Sequence, residues 1–225
     1  QGLYPPGSVF KVVAYWLALS ENIFPKELNN KDSKLNCEGS LSFGFDDGSQ
    51  QVYNDWKPEG HGKVDLTEAI KQSCNVYFWD IALKIWRNFG NTQGESLLQE
   101  YSRKLGFSNQ TNIDLPYEKV GIIPDRELFE EWKISRPGLV RDEGWLGGDL
   151  MNLIIGQGAI TTTPLQVANA YRTLLTGENI SPTLNKDISK TINSSINISE
   201  EFISFLLKDL NTVTNKGGTA YISFS

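Results

Sequence analysis

Histidine, cysteine and methionine are scarce in this chain, with one His, two Cys and one Met in 225 residues. The only methionine is Met151, so a chain that opens at Gln1 is expected to have an internal or processed start. Long apolar runs are missing too. None reaches the roughly 20 residues that span a bilayer, and the longest candidate, Val12–Leu19, is interrupted by Tyr15 and Trp16. An excess of positive charge is lacking: the net charge is −6 and the isoelectric point near 4.9, which argues against nucleic acid or an anionic membrane surface as partner. No internal repeat and no low-complexity tract breaks the sequence. What remains is 39% hydrophobic and 21% charged, ordinary values for a globular chain long enough to bury a sizeable core as one domain.

Two short runs carry chemistry. In Tyr4-Pro5-Pro6-Gly7-Ser8-Val9-Phe10-Lys11 the prolines hold the chain extended, and Gly7 allows a sharp turn into an apolar, helix-like run from Val9 to Leu19. Ser8 is thereby expected at a helix N-terminus, among unpaired N–H groups and the positive end of the dipole. Lys11, three residues on, shares its face. A serine hydroxyl is a poor nucleophile until a neighbour takes its proton. A lysine does so when burial and nearby positive charge leave it neutral. The same residues also read as an N-cap serine followed by a surface lysine. The second run is Ser73-Cys74-Asn75.

The coarse pattern is mostly helical. Ser40–Phe45 and Gln50–Asp55 flank Asp46-Asp47-Gly48-Ser49 and predict a small hairpin. Asp65 with Glu68 predicts a capping box for a helix towards Lys71, followed by an apolar helix over Asn75–Phe89 that stops at Gly90. Thr92 and Glu95 open another helix ending at Gly106, and Asp125–Ile134 is a short amphipathic candidate. Thr163-Pro164 caps Leu165–Thr176, Gly177 closes it, and Ser199 caps Glu200–Val213. The polar stretch Ile180–Asn197 reads as a surface excursion.

Ser-x-x-Lys followed by Ser-x-Asn makes two of the three signatures of penicillin-recognising serine enzymes. The lead-in Tyr-Pro-Pro-Gly-Ser-x-x-Lys resembles class B penicillin-binding proteins of the elongation type. Collinear matches continue along the chain at Asp55-Trp56-Lys57, Gly60-His61-Gly62, Ser73-Cys74-Asn75-Val76-Tyr77-Phe78, Leu105-Gly106-Phe107, Ile113-Asp114-Leu115, Ile155-Gly156-Gln157-Gly158 and Thr161-Thr162-Thr163-Pro164-Leu165-Gln166. The resemblance implies a mainly α portion of an α+β serine β-lactamase/D,D-transpeptidase-like fold, with a helical subdomain, a small hairpin and a central antiparallel sheet largely missing. It implies a D,D-transpeptidase that cross-links peptidoglycan and is acylated by β-lactams. Ser8 would be the nucleophile and Lys11 its base. Ser73 would relay a proton to the leaving group, and Asn75 would bond Lys11 and the substrate amide. Gly156-Gln157-Gly158 would line the site floor, or equally be a helix-terminating glycine turn.

The third signature, Lys-[Ser/Thr]-Gly, does not occur in these residues. Lys216-Gly217-Gly218-Thr219 lacks the hydroxyl at its second place and follows Phe202–Val213 like a helix stop. The expectation is therefore a partial transpeptidase domain over 1–225, without membrane anchor, pedestal or C-terminal strands, that does not turn over substrate by itself. Its parent would act at the periplasmic side of the bacterial inner membrane on stem peptides, beside a membrane glycosyltransferase and elongation-complex proteins. A β-lactam-hydrolysing or sensing enzyme, and a non-catalytic binding module of the same fold, are the alternatives.

The single histidine and both cysteines fall between positions 37 and 74. Cys37, Asp55, His61 and Cys74 offer the thiolate, imidazole and carboxylate set that suits Zn²⁺, although Asp-x5-His-x12-Cys is not a general zinc spacing. Some elongation-type relatives are thought to bind zinc beside the active site through these positions, with Asp where this chain has Cys37. A Cys37–Cys74 disulfide, or two buried thiols beside a loop histidine, are the competing readings.

Overall fold

The computed structural model describes residues 2–26, 28–44, 48–187 and 189–224. The Tyr4–Gly7 strap is fixed at both ends by backbone bonds. Tyr4 and Thr162 exchange N–H···O bonds at 2.9 Å, and Gly7 N–H donates to Gly156 O at 2.9 Å. The chain then enters a 3₁₀ turn, Gly7–Phe10, that runs into α1, Lys11–Glu21. Val12 to Ala18 of α1 are all buried, as a helix apolar on every side must be. It ends at Asn22 in the left-handed conformation rather than at a glycine.

Among the described residues there are three two-stranded antiparallel pairs: β1 (Leu35–Cys37) with β4 (Gly62–Val64), β2 (Ser40–Gly44) with β3 (Gln50–Asn54), and β5 (Glu178–Ile180) with β6 (Ile192–Ser195). The hairpin expected between 40 and 55 is β2–β3; its turn residues Asp46 and Asp47, with Phe45, lie outside the described residues. The other two pairs have no counterpart in the sequence reading, and Ile180–Asn197 is partly strand rather than only an excursion.

The helices are α2 (Leu66–Lys71), α3 (Asn75–Phe89), α4 (Leu97–Lys104), α5 (Arg126–Ser135), α6 (Gly147–Ile154), α7 (Pro164–Thr176), α8 (Glu200–Thr214) and the short α9 (Tyr221–Phe224). Asp65 caps α2 by accepting from Glu68 N–H, but the reciprocal half of the box is absent because Glu68 turns to Lys71 and Gln72. Thr163 and Gln166 do form a full capping box on α7, and Asp125 and Ser199 cap α5 and α8. The segment opened by Thr92 begins as a 3₁₀ turn, Gln93–Ser96, because the Thr92 hydroxyl donates backwards to Phe89 O instead of capping. Helix α6 was not anticipated. Its N-terminus carries Gly147-Gly148, which disguises a helix start.

The core gathers around α1, with α3, α4 and α6 against it and α8 on α2. Phe10, Tyr15, Leu17, Tyr77, Phe78, Ile81, Leu150 and Leu153 are fully enclosed there. Among the described residues no helix is long and apolar enough to cross a membrane.

Candidate active site and metal centre

Ser8 lies in the 3₁₀ turn and is exposed, whereas Lys11, one turn on, is 1% exposed. Two elements aim them. The strap on Thr162 and Gly156 sets the turn, and α3 with its preceding loop closes over Lys11. Ser73 holds a left-handed φ of +52°, a strained choice for serine that turns both its carbonyl and its hydroxyl inward. Lys11 Nζ donates to Ser73 O (2.8 Å), Ser73 Oγ (2.8 Å) and Asn75 Oδ1 (2.6 Å), which uses all three ammonium protons. Ser73 Oγ in turn donates to Ser8 Oγ at 2.8 Å. Four side chains from two segments over sixty residues apart thus form one hydrogen-bonded chain.

Burial pushes the Lys11 pKa down to about 8, against the attraction of Asp55 and Cys74, which holds it up. About a tenth of the lysine is therefore neutral at pH 7. The route from Ser8 to Lys11 runs through Ser73 rather than directly. In the bonding seen, protons point from Lys11 to Ser8; reversing both hydroxyls and emptying one lysine position gives the order needed to deprotonate Ser8. Because Asn75 faces Lys11 with its carbonyl oxygen, its amide protons are not spent on the lysine.

Gly156 sits against this machinery. Its φ is +72°, and a Cβ there would lie 2.2 Å from Gly7 O, so only glycine fits between the strap and the end of α6. It both ends a helix and floors the turn that bears Ser8. Gln157 and Gly158 follow it on the exposed side, with Gly158 also at positive φ. Lys216 is exposed on the turn after α8, and that turn bonds Lys71 O through Thr219 N–H, whereas the bonding partners of Lys11 Nζ are Ser73 and Asn75.

Cys37, Asp55, His61 and Cys74 each turn one ligand atom inward, and these atoms lie within 4.8 Å of one another. The β1–β4 pair brings Cys37 and His61 together, with His61 N–H on Cys37 O at 3.1 Å. Asp55 follows β3, and its Oδ2 accepts from Asn75 and Val76 N–H at the start of α3. Cys74 is the residue that precedes that helix.

The hydrogen bonds fix the histidine tautomer. Glu68 accepts from Gln72 Nε2 at 2.8 Å, so Gln72 presents Oε1 to His61 Nδ1 at 3.1 Å. Nδ1 therefore carries the proton. Nε2 is left as a lone pair facing Asp55 Oδ1 at 3.3 Å, both atoms on side chains with no solvent exposure. Two buried lone pairs pointed at each other need a cation or a proton between them. The two sulfurs stand 3.3 Å apart as free thiols. The Cys74 S–H directed at Cys37, helped by the N–H groups of Gly39 and His61, pulls the Cys37 thiol down, while its bond to Cys37 and burial push Cys74 up. Two sulfurs, an imidazole nitrogen with its other nitrogen on Gln72, and a carboxylate oxygen fit a four-coordinate zinc ion.

The penicillin-binding protein transpeptidase domain model matches residues 1–223, so the chain belongs to that family. Within it, the similarity is to the PBP2 or MrdA type. The Peptidoglycan D,D-transpeptidase MrdA of Acinetobacter baumannii is 33% identical over 170 residues, covering 76% of this chain and 22% of the relative. That of Escherichia coli is 31% identical over 175 residues, covering 78% and 24%. The chain thus spans about a quarter of the length of the curated relatives it matches. The structure of PBP2 from Helicobacter pylori superposes with a TM-score of 0.78 at 30% identity over 99% of this chain and 38% of that one.

Proposed function

We propose that this chain carries the nucleophile half of a peptidoglycan D,D-transpeptidase of cell elongation. The observation that carries the reading is the continuous chain Ser8–Ser73–Lys11–Asn75 with a buried, partly neutral lysine at its centre. Neutral Lys11 accepts a proton from Ser73, which accepts one from Ser8. The Ser8 oxygen then attacks the carbonyl of a stem-peptide acyl group, and the amine leaves with a proton returned through Ser73. Backbone N–H of Ser8 would supply one oxyanion donor; the second would come from a strand with a Lys-[Ser/Thr]-Gly motif outside these residues. A β-lactam carbonyl would be attacked the same way and trap the acyl-serine.

The parent protein is placed by this reading at the periplasmic side of the inner membrane, beside a membrane glycosyltransferase and elongation-complex proteins. PBP2 of Helicobacter pylori has been seen with MreC, which supports a partner of that kind. The metal is part of the same proposal. Cys37, Asp55, His61 and Cys74 would hold a structural zinc, whose chemistry is to keep both thiols deprotonated and lock the loop between Ser73 and Asn75.

Labelling with a fluorescent penicillin tests the reading, on this chain, on its Ser8→Ala variant and on a version extended through a Lys-[Ser/Thr]-Gly strand. Adduct on the extended protein and none with Ser8→Ala is the expected result. Absence of label from both this chain and the extended version would leave a binding-only role as the better account.

A further inference from the structure

Cys37 and Cys74 are 37 residues apart in the chain, yet their sulfurs stand 3.3 Å from each other as free thiols. Both residues are enclosed, Cys74 at 0% exposure and Cys37 at 2%. A pair at this separation is a short movement from a disulfide, whose sulfurs lie ~2.0 Å apart. Burial selects the oxidant: a bulky disulfide reagent cannot reach these sulfurs, whereas one the size of water can enter as the short β1–β4 pair opens.

The two ends are not equally free to move. Cys37 O accepts from His61 N–H at 3.1 Å, and a Cβ on Gly60 would lie 2.2 Å from that same oxygen. Cys37 is thus the fixed end. Cys74 follows Ser73, which is held at a strained φ of +52°. On the far side, Asp55 Oδ2 holds the N–H groups of Asn75 and Val76. A pull on Cys74 is therefore taken up at Ser73, where rotation about N–Cα relieves the strain and carries carbonyl and hydroxyl together. Both groups accept from Lys11 Nζ at 2.8 Å, and the hydroxyl also bonds Ser8. A displacement of about 1 Å takes them out of hydrogen-bond reach.

From this arrangement we infer that Cys37 and Cys74 form a peroxide-sensitive pair whose closure to a disulfide empties the metal site and draws Ser73 away from Lys11. The pair builds on the four-ligand reading of this centre and adds regulation to it. The Cys37 thiolate, the less enclosed of the two, attacks one oxygen of hydrogen peroxide; the O–O bond breaks and hydroxide leaves. Cys37 is then a sulfenic acid. The Cys74 thiolate attacks its sulfur, the S–O bond breaks, a second hydroxide leaves and the S–S bond forms. The sulfurs give up two electrons, peroxide takes both, and two protons from solvent turn the hydroxides into water. Asp55 and His61 are left as the remaining donors, half of the set a tetrahedral zinc needs.

The zinc-loaded chain is treated with hydrogen peroxide and, in parallel, with glutathione disulfide. Peroxide is expected to remove about 2 Da, the two thiol hydrogens, with a Cys37–Cys74 cross-link in the peptide map. Zinc should appear in step with it, read by a colorimetric chelator, and dithiothreitol should restore both thiols. Glutathione disulfide should change neither mass nor zinc content. In the version extended through a Lys-[Ser/Thr]-Gly strand, oxidation should slow acylation of Ser8 on the order of tenfold or more, reversibly. Cys37→Asp, which cannot form the bond, should keep its own untreated rate after peroxide. Oxidation without a cross-link, a cross-link that leaves zinc bound or acylation unchanged, or a glutathione adduct each overturns the inference. So does a disulfide that is present from the start and resists dithiothreitol. A reversible cross-link in a chain that takes up no zinc would sink the metal reading and keep the thiol pair. A cross-link with zinc release, but no acylation of Ser8 in either redox state, would sink the transpeptidase reading instead.

Discussion

Replacing Lys11 with methionine should change how stability depends on pH, and by a calculable amount. The lysine loses a proton at about 8 in the fold against an ordinary 10.5. Because the folded pKa is the lower one, the fold holds this proton less tightly than the unfolded chain does. Below pH 8 both states are charged and folding carries the whole penalty, ~3.4 kcal/mol for a shift of this size. Between 8 and 10.5 the unfolded chain binds more protons, so stability rises with pH; above 10.5 the penalty is gone. Relative to pH 6 the gain is ~1.4 kcal/mol at pH 9 and ~2.6 kcal/mol at pH 10. Methionine keeps the bulk and has nothing to titrate, so other titrating groups cancel in the difference between the two proteins. Guanidinium unfolding of both at half-unit steps from pH 6 to 10 gives that difference directly. A difference flat across this range would refute the claim that burial keeps Lys11 close to neutrality, and with it the assignment of Lys11 as the base. The kinetic counterpart is an acylation rate that climbs about tenfold per pH unit and levels near pH 8.

Other outcomes follow from the same geometry. Gly156→Ala puts a Cβ 2.2 Å from Gly7 O at a φ of +72° and should destabilise by ~2–4 kcal/mol, a midpoint loss readable by thermal melting; a loss under ~0.5 kcal/mol would mean the strap simply moves aside. Thr163→Ala removes the side chain that accepts from Gln166 N–H at the head of α7 and should cost ~1 kcal/mol in the same assay. Purified chain is expected to carry close to one zinc by elemental analysis. Cys74→Ala or His61→Ala should lose most of it, Cys37→Asp should keep the stoichiometry at lower affinity, and an intact metal content in His61→Ala would rule out this ligand set.

How much of this was legible depends on the kind of signal. Side-chain caps read well, since a Thr-Pro pair, a Ser or an Asp before an apolar run acts within four residues; α2, α5, α7 and α8 fall where the pattern put them. The three-residue partners β1 and β4 do not read, because strands that short show no alternation and their pairing joins residues 35 and 64. That pair is nevertheless what seats Cys37 beside His61. Helix α6 was hidden by its opening glycines, and the 3₁₀ start of α4 by a threonine that bonds backwards. At the candidate site the motifs name residue types but not their wiring. Nothing in Ser-x-x-Lys says that Ser73 stands between Ser8 and Lys11, because that depends on one left-handed backbone angle. The tautomer of His61 likewise hangs on Gln72 and Glu68, which no motif includes.

Ser73, Cys74 and Asn75 occupy three consecutive positions and face two different centres. Ser73 and Asn75 bond Lys11, while Cys74 between them turns to Cys37, Asp55 and His61. Asp55 ties the two centres a second time, through the Asn75 and Val76 N–H groups. A metal at the four ligands would therefore brace the loop from behind without touching the reacting atoms. Removing it should show first as a slower acylation step and a looser loop, and only later as unfolding, because the apolar packing of α1 against α3 and α6 does not depend on it. Hydrogen exchange of the Cys74–Val76 amides with and without chelator would expose the coupling. Faster exchange confined to this loop and to β1–β4 is the expected pattern, whereas exchange that rises uniformly through α1 and α3 would mean the metal holds up the fold rather than the loop.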